Sequence, residues 1–374
     1  MIPRHHRASW RAVAVVAVLG TLAACSGSDA GTAADTTVGT TTATTAAATT
    51  TSSTVAPSTT VAATTTDAPT TTEAATTTTV PGPPVYPLTG VLVSDPAVAA
   101  RPTLVVKIDN APGARPQSGM NEADIVFEEI VNDNLTRFAF VFQSGGATPV
   151  GPIRSGRIQD IDLFGAFNGP LFSWSGGNHT VTDAIHASDL VDIGPARRAV
   201  YFRSGDRKAP HNLYSTTDQL FAQAAPDAQP PQQQFQYRAD GEAVQGTPSP
   251  GVAASLDSID VRWTWNPGTG LYERMMEGKA HTDALSGQVT TNNVLVLVMN
   301  YLPGISGSPD AQTLGGGEAF VFTAGNYVHG TWTRADRLQP FTLTADDGTP
   351  IHLTPGRTFI ELPRQDHTIP LPPA

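Results

Sequence analysis

Residue 80 divides this chain into two kinds of material. Positions 26–80 hold 24 threonines, no aromatic residue, no lysine or arginine, and only four acids: Asp29, Asp35, Asp67 and Glu73. Such a stretch cannot bury enough apolar surface to offset the entropy of ordering it, so 26–80 is expected to be a disordered spacer. Whatever folds must lie beyond it. As a flexible coil the spacer would hold its ends on the order of 40 Å apart, and fully extended it would reach at most about 180 Å. Its Thr/Ala/Pro composition also suits O-glycosylation.

Ahead of the spacer, Arg4, Arg7 and Arg11 precede an apolar run over 12–24 and the chain's single cysteine, Cys25. A run of about thirteen apolar residues is too short to span a bilayer and reads as the apolar region of a secretory signal. Leu22-Ala23-Ala24-Cys25, followed by Ser26 and Gly27, resembles the lipobox of bacterial lipoproteins. That resemblance implies diacylglycerol on Cys25, a membrane anchor and the extracytoplasmic face of the cell membrane. The alternative is a plain secretory signal with an incidental cysteine, although an odd free thiol in an exported protein otherwise needs an explanation. With one cysteine no disulfide can form within the chain, so core packing alone must stabilise the exported part.

The 374 residues carry 22 basic and 33 acidic side chains, a net charge of −11. This excludes nucleic acid as a partner, since binding it needs a basic surface that neutralises phosphates. The length left after the spacer suits two domains. The boundary is expected in 226–251, rich in Pro, Gln, Gly and Ala, where Pro230, Pro231 and Gln232 to Gln234 do not read as a core element. The organisation expected is a signal over 1–25, spacer 26–80, an α/β domain over 81–228, a linker over 229–250 and a β-rich domain over 251–374.

In the first of these domains, 103–109 (TLVVKID) reads as a buried strand. Segments 124–131 and 136–143 flank the turn-forming Asn132, Asp133 and Asn134 as a hairpin. Phe138, Phe140 and Phe142 alternate with smaller residues, which makes one face of the sheet aromatic. Ser155 is placed to cap a helix running to about Phe167, weakened by Gly165, and Asn178 a helix running to Ser188. Segments 170–175 and 199–203 read as strands, and Ser215 or Thr216 caps a last helix. Together these predict a mixed α/β layer, because a hairpin interrupts the α/β alternation.

After 251 come short strand-like runs at 258–265, 271–277, 289–300, 318–322, 327–334, 341–344, 351–354 and 358–361. Turns such as Asn266-Pro267-Gly268 and Asp346-Asp347-Gly348 separate them. With no long helical period, this predicts a β-rich domain, sandwich or barrel-like, with 294–299 as its central strand.

These residues carry a resemblance. Lys107-Ile108-Asp109-Asn110, Ala114-Arg115-Pro116-Gln117, Ala123 to Glu128, Thr136-Arg137, Gly151 to Arg157 and His211 to Tyr214 are similar in order to the N-terminal half of the DUF3048, or YerB-like, family of bacterial envelope lipoproteins. Tyr272, Arg274, Gly278, His281, Asp283, Asn293 to Met299, Gly315 to Gly317, Gly330-Thr331-Trp332 and Gly356-Arg357-Thr358 resemble its second domain. The resemblance covers about 88–362 and implies a two-domain extracytoplasmic lipoprotein. It implies no particular chemistry. The sequence departs from the family pattern at Asn178, where a small polar or acidic neighbourhood is more usual, and in the length of its spacer.

Read directly, the residues offer little catalysis. His179 and His186 are seven apart and no HxH or HExxH occurs, so neither a metal nor another cofactor is expected. Ser173 and Ser175 in FSWSGG miss the G-x-S-x-G elbow, and Gly315 to Gly317 reads as a turn. The more informative set is basic. Arg154 and Arg157 bracket an expected helix start, and Arg203, Arg207, Lys208 and His211 follow a strand end, with Asp206 the one acid among them. Converging at one sheet edge, they would form an anion pocket in an acidic protein, for which arginine is well suited. The bland alternative pairs Arg137, Arg154 and Arg157 with Glu128, Asp109 or Asp124 across the sheet. It also leaves His211 as a loop hydrogen-bonder and Lys107 and Asp109 facing solvent at a strand end. Trp263, Trp265, Trp332 and Tyr327 are read as core in preference to a glycan-stacking strip.

Two function classes follow. The first is a non-catalytic binding or scaffold lipoprotein presenting its domains to a cell-wall polymer or an envelope protein. The second is an envelope hydrolase acting on an anionic wall component, with Arg154 and Arg157 orienting substrate and His211 as acid or base. The first is preferred, because no nucleophile, metal set or carboxylate pair emerges.

Overall fold

Alternating polarity normally marks a strand with one wet face, yet several strands here are buried along their whole length. The computed structural model describes residues 83–364. The signal-like segment with Cys25 and the 26–80 spacer lie outside the described residues. After a single turn α1 (Pro96–Ala99) come β1 (Leu104–Asp109), β2 (Ile125–Ile130) and β3 (Thr136–Phe142). The β2–β3 hairpin turns through Asp133 and Asn134 at φ 65° and 54°, the residue types that tolerate a left-handed backbone best after glycine. β3 also pairs antiparallel with β1. β4 (Leu171–Ser173) and β5 (Val191–Asp192) then add in parallel.

α2 (Gln159–Leu163) precedes β4, and α3 (His179–Ala187) lies between β4 and β5, capped by Asn178, whose Oδ1 accepts the Val181 amide at 2.9 Å. A ribbon of β6 (Phe202–Arg203) and β7 (Leu213–Tyr214) precedes α4 (Thr217–Phe221), capped by Thr216. The helix expected from Ser155 begins only at Gln159. Arg154 donates its amide to the Lys107 carbonyl and accepts from the Ser175 amide, so this stretch is extended chain bridging two strands. The strand expected over 199–203 shortens to β6.

The second half opens with β8 (Thr247–Pro248) and a meander of β9 (Gly251–Leu256), β10 (Ile259–Asn266) and β11 (Leu271–Met276). It continues with β12 (Asn293–Leu297), β13 (Gly315–Thr323), β14 (Asn326–Arg334), β15 (Thr342–Ala345) and β16 (Thr358–Leu362). The N-terminal part is thus a mixed α/β layer and the C-terminal part is β-rich. Gly315 to Gly317 begin β13 and do not form the expected turn. A Cβ on Gly317 would lie 2.6 Å from both Trp332 Nε1 and the Val298 carbonyl, so the strand can pass only without a side chain.

One sheet runs through both halves in the order β15-β14-β13-β12-β16-β2-β3-β1-β4-β5, with β8 beside β14. β16 lies between β12 and β2 and is parallel to both, with Ile360 opposite Leu295 on one side and Phe127 on the other. The β9–β11 meander covers one face of this sheet, packing Val261, Trp263 and Tyr272 on Val126, Phe138, Phe140 and Phe359. The other face is closed by Leu163, Phe164 and Phe167 after α2, by Val181 and Ile185 of α3, and by Phe341 and Leu353. Residues 229–250 are mostly irregular but laid onto the fold. Gln234 and Phe235 are buried, and the Tyr237 hydroxyl donates to the Leu88 carbonyl at 2.6 Å. Among the described residues no helix is long and apolar enough to cross a membrane.

Candidate functional site

Consecutive residues of a strand face opposite sides, so Glu128 and Glu129 of β2 send one carboxylate into each core. On the meander side, Glu128 is ion-paired with Arg274 of β11, whose Nε also lies 3.3 Å from Glu361 of β16. Arg274 packs over the rings of Phe138, Trp263 and Phe359. Its Nη1 donates to His281 Nδ1 at 2.6 Å, and His281 Nε2 donates to Gln117 Oε1 at 3.1 Å. The Thr136 hydroxyl and the Asn110 amide satisfy Glu128 further. Arg274, Glu128 and Glu361 are all fully buried. They brace the two layers against each other and are closed to any ligand.

Burial pushes the Glu361 carboxyl up to about 8, with Glu128 adding to the rise and Arg274 opposing it. Burial and the charges of Arg274 and Arg115 hold His281 well below its ordinary value. The folded state therefore keeps a proton on Glu361 that the unfolded chain releases above about 4.5. Where the folded state binds more protons, stability falls as pH rises. Asp160, raised to about 6 chiefly by burial, acts in the same sense lower down the scale. His281 acts oppositely, since below 6.5 only the unfolded chain takes up its proton. We therefore expect urea midpoints to fall between pH 6 and pH 8.5, and this fall to be largely absent in Glu361→Gln. Equal slopes in both proteins would contradict the assignment.

On the helical side, Lys107 of β1 is paired with Glu129 and, at 2.8 Å, with Asp160 of α2, all three fully buried. Lys107 and Asp109 are thus not the solvent-facing strand end that the sequence allowed. Gln159 donates to Glu129 at 2.7 Å, and the other Asp160 oxygen accepts the Arg157 amide at 2.7 Å. This last bond sets where α2 starts and holds the preceding turn, which carries three arginines on or beside it. Arg137 of β3 donates to the Ser155 carbonyl at 2.6 Å. Burial, then the charges of Arg157 and Arg154, lower its guanidinium to about 9.

Arg154 Nε lies 3.1 Å from Asp109 Oδ2, and His211 Nδ1 lies 2.7 Å from the same oxygen. Arg154, Arg157 and Arg137 therefore form one positive cluster, with His211 joined to its edge through Asp109. Arg203 donates to Asn212 Oδ1 at 2.7 Å, and Arg207 to the carbonyls of Gly113 and Pro116. Lys208 is exposed. These last three are engaged with loops or solvent.

Arg157 also lines a cleft of about 200 Å³ whose other walls include Ser155, Asn178, Ser306 and Ser308. Sequence reasoning named Arg157 but missed the serine wall, which comes from the other half of the chain. It also missed the role of Lys107, Glu129 and Asp160 beneath the cluster. The available signal was a lysine and a glutamate in two otherwise apolar neighbouring strands. Trp263 and Trp332 are buried, and Trp265 and Tyr327 pack partly buried on the core, so they do not form an exposed strip. Among the described residues no group of three or more His, Cys, Asp or Glu side chains is placed to hold a metal.

The fold and this site define a class: a mixed α/β layer fused edge to edge with a β-rich half, charged groups locked inside and an arginine cluster that reaches the surface through Arg154 and Arg157. Residues 88–230 match the family model described as "Protein of unknown function (DUF3048) N-terminal domain", and residues 252–360 match that of its C-terminal domain. The chain belongs to this family. It is 27% identical over 298 residues to "Putative lipoprotein YerB" of Bacillus subtilis (strain 168), covering 74% of this chain and 85% of that one. Its fold is similar to the crystal structure of the YerB protein from Bacillus subtilis, with a TM-score of 0.65 and 23% identity, covering 74% of this chain and 96% of that one.

Proposed function

We propose that this protein is an extracytoplasmic lipoprotein, held to the membrane by lipid on Cys25, and that its folded part binds an anionic envelope component without transforming it. The lipobox-like Leu22-Ala23-Ala24-Cys25 and the similarity to a Bacillus subtilis protein named as a lipoprotein support the anchor. The observation that carries the binding role is the cluster in which Arg154 and Arg157 are partly exposed above the buried Arg137, in an otherwise acidic chain. Grouped guanidinium groups repel one another, and an anion across them relieves that repulsion. The ligand class we favour is a cell-wall polymer, with an envelope protein as the other candidate.

The hydrolase alternative draws on the 2.7 Å contact between His211 and Asp109, which would orient the imidazole. One experiment separates the two. Full-length protein in mild detergent is sedimented with peptidoglycan, with and without its attached anionic polymers, and the supernatant is assayed for released fragments. We expect retention that depends on the polymers, is lost in Arg154→Ala/Arg157→Ala, and releases nothing. Fragment release lost in the same variant would replace binding with hydrolysis. The absence of both would remove the wall as ligand.

A further inference from the structure

Two residues that line the cleft, Arg157 and Ser308, each carry a buried polar atom that the fold leaves unused. Ser308 is 4% exposed, yet its Oγ has no hydrogen-bond partner among the described residues. Arg157 Nε is likewise buried without an acceptor, while Nη1 of the same guanidinium donates to the Gly156 carbonyl at 3.0 Å. Buried polar atoms are nearly always satisfied, so two such orphans lining one cavity call for a missing partner. Asn178 Nδ2 donates to Ser306 Oγ at 3.2 Å and ties the two walls together. Asn178 Oδ1 caps the third amide of the nine-residue helix α3, whose earlier amides face the same end. Among the described residues no carboxylate lines the cleft. Of the three acids whose charge Arg157 feels, Glu129 and Asp160 are already committed to Lys107, and Asp133 is exposed next to the lining residue Asn132 without lining the cleft itself.

We propose that this cleft is a binding site for a single phosphate-type oxyanion, held by the Nε edge of Arg157 and by Ser308, with Ser155 and Asn178 around it. The proposal deepens the binding role above and rests on it for the polymer that would carry the group. Phosphate fits better than carboxylate because the arginine edge alone can occupy both oxygens of a carboxylate, whereas a phosphate retains acceptors for Ser308. A volume of about 200 Å³ is below that of ordinary small-molecule pockets, so the site reads a charged group and not the whole molecule bearing it.

The test is calorimetric titration of the full-length protein, in detergent and phosphate-free buffer, with inorganic phosphate, glycerol phosphate and acetate. We expect saturable binding of the two phosphates, weaker binding of acetate, and roughly tenfold or greater loss in Arg157→Lys, which keeps the charge but not the planar edge. Ser308→Ala should also weaken phosphate binding, yet without phosphate it should melt no lower than wild type, because it removes a hydroxyl with nothing to bond. Arg203→Ala should bind normally. Absent phosphate binding, acetate binding as tight as phosphate, or a Ser308→Ala protein that melts lower but binds unchanged would each overturn the site. Polymer retention that persists without phosphate binding would sink this inference and spare the wall-binding role. Phosphate binding with retention on phosphatidylglycerol vesicles, but not on polymer-bearing wall, would keep the site and move its source to lipid headgroups.

Discussion

Arg274→Ala is expected to cost about 3–5 kcal/mol of folding stability, enough to unfold much of the protein under mild denaturant. The magnitude follows from what the substitution leaves behind. Glu128 and Glu361 sit opposite each other in the β2–β16 register and are both fully buried, with Arg274 the cation between them. Removing it strands two carboxyl groups in an apolar layer, opens a cavity under Phe138, Trp263 and Phe359, and deprives His281 of its donor. Arg274→Met combined with Glu128→Gln should be far milder, since it removes the charges in concert and keeps most of the volume. Urea denaturation at pH 6 measures both. A loss below about 1 kcal/mol in Arg274→Ala would show that the network is worth little.

The second large effect is expected from Ile360→Pro. β16 is paired on both sides and buried on both faces, so Pro removes a ladder donor, leaves a buried carbonyl unpaired and offers no solvent to compensate. On the order of 4 kcal/mol is lost from the hydrogen bond, the orphaned acceptor and the steric misfit together. Both halves should lose protection at once, seen as simultaneous loss of slow hydrogen exchange in β2 and β12. Ile360→Val, at about 1 kcal/mol, controls for packing. If β2 kept its protection while β12 lost it, the sheet would not be one cooperative unit.

Local signals in the sequence located much of this architecture. The Asn132 to Asn134 turn, the Asn178 and Thr216 caps and the continuously apolar strand within 293–297 each have a short-range physical cause that one sequence displays. The misses share a different cause. For Lys107 and Asp109 a solvent-facing position stayed open beside the buried-strand reading, because a charged side chain in a strand ordinarily faces water. Their burial depends on Glu129, Asp160 and His211, which lie in other segments. Ser155 read as a cap because Ser before an apolar periodicity usually is one, but the amide partners of Arg154 come from distant strands. The arginines of the candidate site were visible one by one. The serine wall facing Arg157 was not, because it is contributed by a loop beyond residue 300 whose proximity only the sheet order creates.

That sheet order also bears on how such a chain can be made and moved. A polypeptide emerges from its N-terminus, yet the second edge of β2 is satisfied by β16, which follows far along the chain. Until then the apolar strands of the first half present an open edge, which chaperones and proteases recognise. The fold therefore inspects its own completeness: a chain halted anywhere before residue 358 has no way to close.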